Sequence, residues 1–299
     1  GTVVALVGES GSGKSVTAQA IMGLLPAKAR ITGGEILFYE PNYWGEPIDL
    51  AKLNPESEEM RTLRGGYISM IFQDAMASFS HLHTIGDQVS EALFLHRDVS
   101  RKEGLEHTER MLSLVGFPNP ADAMGLYPFE LSGGLRQRAM IAMALVCRPS
   151  LVIADESTTA LDVSVQAQIL KLIKDLREEL GLAVLLITHD LGVVSEIAER
   201  VVVMYAGRKV EEGTVKEVFR SPAHPYTAGL LASASLASAD GRFLKEIPGT
   251  VPSPFDMPSG CNFAPRCPKV FGKCHEEAPA LESLNSEREV ACFAATELR

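Results

Sequence analysis

The segment GESGSGKS, residues 8–15, constrains the fold of this chain more than any other part of its sequence. It fits the pattern GxxxxGK[ST] and lies between an apolar run typical of a buried strand, TVVALV, and the helical pattern SVTAQAIMGLL. Glycines within such a loop let the backbone wrap around a phosphate with its N–H groups pointing inward. The sequence therefore predicts a phosphate-binding loop between a strand and a helix.

The loop also carries the two side chains that nucleotide phosphates require. We expect Lys14 to reach the β- and γ-phosphates and Ser15 to hold magnesium, while the positive end of the following helix attracts the anion. The residues of this segment predicted to contact the nucleotide are Gly8, Glu9, Ser10, Gly11, Ser12, Gly13, Lys14, Ser15 and Val16.

Strand-like and helix-like segments alternate along most of the chain. YISMIFQ, LVIAD and AVLLIT read as strands, and helical patterns separate them, which predicts an α/β fold with a mainly parallel sheet. The periodicity between residues 85 and 130 is helical throughout, so we expect an inserted helical subdomain at about residues 81–134. After Arg220 the composition shifts to proline, alanine, serine and glycine, which we interpret as a linker.

Charge and hydropathy argue against nucleic-acid binding and against a membrane-spanning helix. The 299 residues carry 28 lysines and arginines against 38 aspartates and glutamates, a net charge of −10. Nucleic acid is therefore not expected as a partner, because phosphate neutralisation needs clustered basic side chains. The longest apolar runs, VVVMYA and AVLLI, have the length of strands and are too short to span a membrane.

Further motifs suggest what the nucleotide is used for. The strand SLVIADE delivers Asp155, suited to holding magnesium, and Glu156, suited to orienting or deprotonating water. His189 follows the next strand, in LLITHD. The segment LSGGLRQR, residues 131–138, places a serine and two glycines at the start of a helix, a second anion-binding pattern. A second site of this kind is understandable if it serves the nucleotide of another subunit.

Taken together, GESGSGKS, Gln73 in MIFQD, LSGGLRQR, LVIADESTTALD and His189 resemble the nucleotide-binding subunits of ABC transporters. The resemblance implies a P-loop NTPase of the ABC type, with an ATP-binding cassette over residues 1–235, and an ATPase that forms a head-to-tail dimer. It implies that Asp155, Ser15 and Gln73 serve magnesium and the γ-phosphate. Glu156 would be the catalytic base. The other residues with implied roles are His189 at the γ-phosphate, Ser132, Gly133 and Gly134 at the partner's nucleotide, and Asp162 at the interface.

Within that superfamily, YPFELSGGLRQRAMIAMAL, TTALDV, AHPYTAGLL and the tail from IPGTVPSP to GCNFAPRC resemble the ATPases of dipeptide and oligopeptide importers. The implied partners are a second ATPase subunit (a homologue or a second copy), two permeases and an extracytoplasmic solute-binding protein. The implied location is peripheral, on the cytoplasmic face of the membrane. Relatives that carry nickel or oligosaccharides leave the cargo open, and a soluble ABC ATPase without transport function is a further alternative. The chain starts in what reads as mid-strand, so we expect an upstream piece.

Four of the five cysteines lie in the tail, at residues 261, 267, 274 and 292, with five, six and seventeen residues between them. By spacing alone, zinc and an iron–sulfur cluster are equally reasonable ligands for four thiolates. The resemblance to peptide-importer ATPases implies a [4Fe–4S] cluster on Cys261, Cys267, Cys274 and Cys292. We expect residues 236–299 to form a linker and a small Cys-rich C-terminal domain. Because this tail lies outside all ATP motifs, cysteine substitutions are expected to leave nucleotide binding largely intact.

Overall fold

The computed structural model of the protein describes residues 1–40, 45–72, 78–156, 163–235 and 247–296. The chain divides into two compact units. The first consists of Gly1 and Val16–Leu185, and the second of Thr2–Ser15 and Leu186–Arg299. The predicted phosphate loop and the cysteine-bearing tail therefore belong to the same unit.

The strands of the described residues are β1 (Val3–Val7), β2 (Leu37–Phe38), β3 (Ile48–Asp49), β4 (Ile68–Ile71), β5 (Leu151–Asp155), β6 (Ala183–Ile187), β7 (Arg200–Tyr205), β8 (Arg208–Thr214), β9 (Glu282–Ser283) and β10 (Glu289–Val290). The α-helices are α1 (Lys14–Ile21), α2 (Glu58–Gly66), α3 (Ile85–His96), α4 (Arg101–Leu114), α5 (Pro120–Ala123), α6 (Gly133–Leu145), α7 (Val163–Leu180), α8 (Leu191–Ile197), α9 (Val215–Arg220), α10 (Pro225–Ser235), α11 (Gly272–Glu276) and α12 (Phe293–Thr296). Short 3-10 helices cover Leu50–Lys52, Pro128–Glu130 and Ala264–Arg266. None of the helices in the described ranges is both long and apolar enough to cross a bilayer.

The first unit combines parallel strands with the helical insertion. Strand β4 pairs in parallel with β5, with Ile68 opposite Leu151, and β6 is the next strand in order. Helices α3, α4 and α5 fall within the region expected to be helical. Ser100 caps the start of α4 in a reciprocal capping box with Glu103, which explains why the helix begins at Arg101.

The second unit extends from the end of β6 through β1, β7, β8, β10 and β9. Strands β1 and β7 are parallel, with Val4 opposite Arg200, whereas β7–β8, β8–β10 and β10–β9 are antiparallel. Ala206 and Gly207 join β7 to β8 with φ values of 46° and 78°, as a tight two-residue hairpin requires. The α/β fold with a mainly parallel core is confirmed, and the chain adds an antiparallel edge that the sequence did not predict.

The hydrophobic core of the second unit includes part of the tail. Tyr205 and Tyr226 are fully buried, and Phe263 from the tail packs against both, with ring centroids 5.1 Å and 5.4 Å away. Cys261 and Cys267 pack on the same cluster. The tail therefore contributes apolar surface to the core beside β1 and β7, and it also has a small buried cluster of its own, formed by Ala264, Cys274 and Phe293.

One expectation was wrong. The segment after Arg220 was expected to be a linker, but Pro225–Ser235 forms α10, an eleven-residue helix. Proline is tolerated at the first position of a helix because the N–H that it lacks has no partner within the helix there. The two strands β9 and β10 also continue the sheet, where a separate small Cys-rich domain was expected, and that domain is not confirmed.

Candidate functional site

The phosphate loop follows β1 and leads into α1, as the motif predicts. Gly8, Gly11 and Gly13 have φ values of 153°, 79° and 101°, a range that side-chain-bearing residues rarely adopt. At Gly8 a Cβ would also collide with the carbonyl oxygen of Met204. The loop conformation therefore depends on glycine at these positions.

Polar groups of the loop close it into a compact cradle. The buried Lys14 side chain donates from Nζ to the carbonyl oxygens of Gly8 (2.8 Å) and Glu9 (3.1 Å). The Ser12 N–H donates to the same Glu9 carbonyl (3.2 Å). The Ser12 hydroxyl is fully buried and has no hydrogen-bond partner among the described residues. A buried polar atom of this kind requires an explanation, and a bound ligand is one.

Two further contacts tie the loop to residues that sequence reasoning missed. The Glu9 N–H donates to the Tyr226 hydroxyl (2.8 Å), and the Glu9 carboxylate accepts two hydrogen bonds from the guanidinium of Arg266 (2.7 and 3.0 Å). Glu9 and Arg266 are separated by 257 positions, so no local pattern could have indicated this pair.

The predicted carboxylates lie in the first unit, at the end of β5. Asp155 is the last residue of that strand, and both Asp155 and Glu156 are half-buried. Glu156 has a φ of 45°, which is uncommon for a residue other than glycine. Strained backbone of this kind is concentrated at functional sites, so the geometry suits a residue held for chemistry. The oxygen donors of Ser15 and Asp155 are also of the type that magnesium prefers.

His189 and the LSGG segment occupy exposed positions. His189 follows β6 in the second unit, immediately before Asp190, which caps α8. Ser132 caps the start of α6, and its hydroxyl accepts from the Leu135 N–H (3.3 Å). Ser132 and Gly133 are exposed, and nothing lies within 4 Å of where a Gly133 Cβ would be. This thirteen-residue helix therefore presents an open N-terminus to solvent. Gln73 and Asp162 lie outside the described residues.

The structure brings the four tail cysteines to one small pocket. Cys261, Cys267, Cys274 and Cys292 all line it, together with apolar groups that include Phe263 and Phe293. The Cys261 N–H donates to the Cys274 carbonyl (2.8 Å), and burial raises the pKa of the Cys261, Cys267 and Cys292 thiols. Within the described ranges, however, no group of three or more cysteine, histidine or acidic side chains has a spacing suited to a metal ion.

Comparison with known proteins identifies the family. Residues 1–159 match the family model described as ABC transporter, which covers the phosphate loop, the LSGG segment and the two carboxylates. The chain belongs to the ABC transporter family. A second model, described as oligopeptide/dipeptide transporter, C-terminal region, matches residues 210–274.

Individual relatives agree with these two matches. This ABC protein is 52% identical to a putative peptide import ATP-binding protein of Brucella ovis, over 98% of this chain and 88% of the relative. It is 48% identical to the dipeptide transport ATP-binding protein DppD of Bacillus subtilis, over 98% and 85% of the two chains. Among solved structures, the dimeric bacterial ABC transporter cassette MJ0796 matches with a TM-score of 0.59 and 30% identity, over 72% of this chain and 85% of that one.

Proposed function

We propose that this chain is the ATP-hydrolysing subunit of an importer for dipeptides or oligopeptides. The observation that carries the proposal is the combination, in one chain, of a phosphate loop in an ABC cassette with a C-terminal region of the oligopeptide/dipeptide transporter type. The names of the Brucella ovis and Bacillus subtilis relatives favour peptides over nickel or oligosaccharides as the cargo. A soluble ABC ATPase without transport function would not be expected to carry this C-terminal region.

The residues of the loop and of β5 would divide the work of hydrolysis. Lys14 and the loop N–H groups bind the β- and γ-phosphates, and Glu156 takes a proton from the attacking water, while His189 and Gln73 orient the γ-phosphate. Ser15, Asp155 and Gln73 would hold magnesium, which neutralises developing phosphate charge when bound. The left-handed backbone conformation of Glu156 (φ 45°) supports its assignment as the base, because strained backbone of this kind is concentrated at functional sites.

The proposed assembly contains two ATPase subunits, two permeases and a solute-binding protein, with this chain peripheral on the cytoplasmic face of the membrane. The structural neighbour MJ0796 was solved as a dimer, which supports a paired arrangement here. In such a dimer Ser132, Gly133 and Gly134 would contact the partner's nucleotide, and the exposed start of α6 is accessible for this role. Asp162 would report across the interface.

The tail cysteines are proposed to hold a [4Fe–4S] cluster, with zinc as the alternative. All four line one pocket and four thiolates are the usual ligands of such a cluster, which supports the choice of donors, although their spacing in this structure does not suit a metal ion. Anaerobically purified protein should contain about four irons per chain and absorb broadly near 400 nm. Cys274→Ser should lose the iron, and Cys147→Ala, which alters a cysteine elsewhere in the chain, should keep it. Stoichiometric zinc in colourless protein would contradict the iron–sulfur assignment.

Reconstitution of the importer tests the function itself. The subunit, its permeases and the solute-binding protein in vesicles should take up labelled dipeptides or oligopeptides only with ATP, and Lys14→Ala should abolish uptake because a charge-assisted phosphate contact is lost. Uptake of nickel or an oligosaccharide instead of peptide would move the cargo to those classes. ATP hydrolysis that no permease or cargo stimulates would contradict a transport role.

A further inference from the structure

The tail reaches the phosphate loop through Arg266, the residue immediately before Cys267. Its side chain is only 4% exposed, and both terminal nitrogens donate to the two carboxylate oxygens of Glu9, the second residue of the loop (2.7 and 3.0 Å). Paired contacts of this kind are directional as well as strong, because the planar guanidinium matches the carboxylate. The ion pair therefore fixes where Glu9 lies.

The guanidinium is itself held by its surroundings. Arg266 donates from Nε to the Pro248 carbonyl (2.9 Å) and from Nη2 to the Ile247 carbonyl (3.1 Å). It also contacts the Tyr205 hydroxyl (3.3 Å) and lies over that ring, 5.7 Å from its centroid. With these partners satisfied, the side chain cannot shift without a rearrangement of the tail backbone.

A second connection starts beside another of the cysteines. Asn262, next to Cys261, donates to the Ala206 carbonyl (3.3 Å) in the hairpin between β7 and β8. The next residue, Gly207, donates its N–H to the Ser12 carbonyl of the phosphate loop (3.0 Å). Ala206 has a left-handed φ of 46°, a conformation that persists only where neighbouring contacts hold it. The tail thus supports the phosphate loop at two positions, directly at Glu9 and, through the β7–β8 hairpin, at Ser12.

Glu9 is where these contacts meet the groups that would bind phosphate. Its carboxylate is paired with Arg266, its N–H with Tyr226, and its carbonyl accepts from Ser12 and from Lys14. A displacement of Glu9 would therefore move the Lys14 ammonium and the Ser12 N–H together. Both groups belong to the loop that cradles phosphate.

We propose that the four-cysteine region positions the phosphate loop through Arg266 and Asn262, so that the integrity of the cysteine pocket sets the affinity for ATP. The inference rests on the proposed binding of ATP by this loop. It replaces the expectation that the tail is independent of nucleotide binding. Arg266 acts through Glu9 and is a positioning residue.

Equilibrium binding of a fluorescent ATP analogue to the intact subunit tests the proposal. Arg266→Met should raise the Kd by about five- to fifty-fold, which lies within the usual range for coupled sites. Glu9→Gln keeps the shape of the loop residue and should raise the Kd to a similar extent. The two changes together should cost no more than either alone, because both break one contact. Lys209→Met, which breaks the partly exposed ion pairs with Glu212 and Glu289, is the matched control and should leave the Kd unchanged.

A cysteine substitution tests whether the cysteine pocket acts on ATP binding through Arg266. Cys267→Ser should also weaken ATP binding, and it should have a smaller effect when Arg266 is already methionine. Additive effects of Arg266→Met and Glu9→Gln, or wild-type affinity in Arg266→Met, would overturn the coupling, even if both variants unfold at lower temperature. A wild-type subunit that binds ATP no better than Lys14→Ala would overturn the proposed nucleotide site itself, and the inference with it.

Discussion

The ion pair between Arg288 and Glu211 gives a quantitative test of how the tail is built into the second unit. Arg288 precedes β10 and Glu211 lies on β8; their side chains are 10% and 0% exposed, with Nη2 and Oε1 2.6 Å apart. Glu211 also accepts from the N–H groups of Ala223 and His224, both at 2.9 Å. The change Arg288→Met would leave this carboxylate buried without its counter-charge.

Removing one partner of a buried ion pair costs about 3–5 kcal/mol. Because two backbone donors to Glu211 remain, we expect about 3 kcal/mol for Arg288→Met, or a Tm lower by about 5 °C in a chain of 299 residues. The matched control is Lys209→Met, which breaks pairs on the same strands with partners that are 22% and 40% exposed, and which should cost less than about 1 kcal/mol.

Thermal unfolding of the three proteins, followed by circular dichroism, measures both effects. The double variant Arg288→Met with Glu211→Gln should recover part of the loss, because it no longer buries an unpaired charge. If Arg288→Met costs no more than Lys209→Met, the tail strand is not anchored to the sheet in the way described.

Three further predictions concern individual residues. Gly8→Ala should abolish ATP binding, since its Cβ would collide with Met204, whereas Gly11→Ala should cost only about 1–2 kcal/mol of backbone strain in unfolding measurements. Burial raises the pKa of Cys147 to about 11, so iodoacetamide at pH 8 should leave this thiol unmodified until the protein is denatured, as peptide mass spectrometry would show. Burial lowers the pKa of His224 to about 4, so the unfolded chain binds the extra proton between pH 6.5 and 4. As the pH is lowered through that window, the free energy of unfolding should fall by about 1.4 kcal/mol per pH unit. His224→Gln should show a flatter profile.

The parts of the site that could be predicted are those determined by a few consecutive residues. The phosphate loop needs glycines at fixed spacing between a strand and a helix, and LVIAD forms β5 with the predicted bounds. Such elements depend on the dihedral preferences and burial pattern of a few consecutive residues.

What could not be predicted depends on contacts between distant residues. The ion pair between Glu9 and Arg266 could not be predicted from sequence patterns, because the two residues are 257 positions apart and only the fold brings them together. The helix at Pro225–Ser235 was missed because its proline and small residues are also the composition of a linker. The hairpin turn at Ala206 was missed because its left-handed φ goes against the preference of alanine.

The central claim, that this chain hydrolyses ATP with Glu156 as the base, is tested most directly by ATP turnover of Glu156→Gln in the assembled importer. Glutamine keeps the size of the side chain but cannot accept the proton of water. We predict that ATP still binds with near-wild-type affinity, that hydrolysis slows by about 10²–10⁴-fold, and that an ATP-bound dimer accumulates. Hydrolysis at a rate near that of the wild type would contradict the assignment.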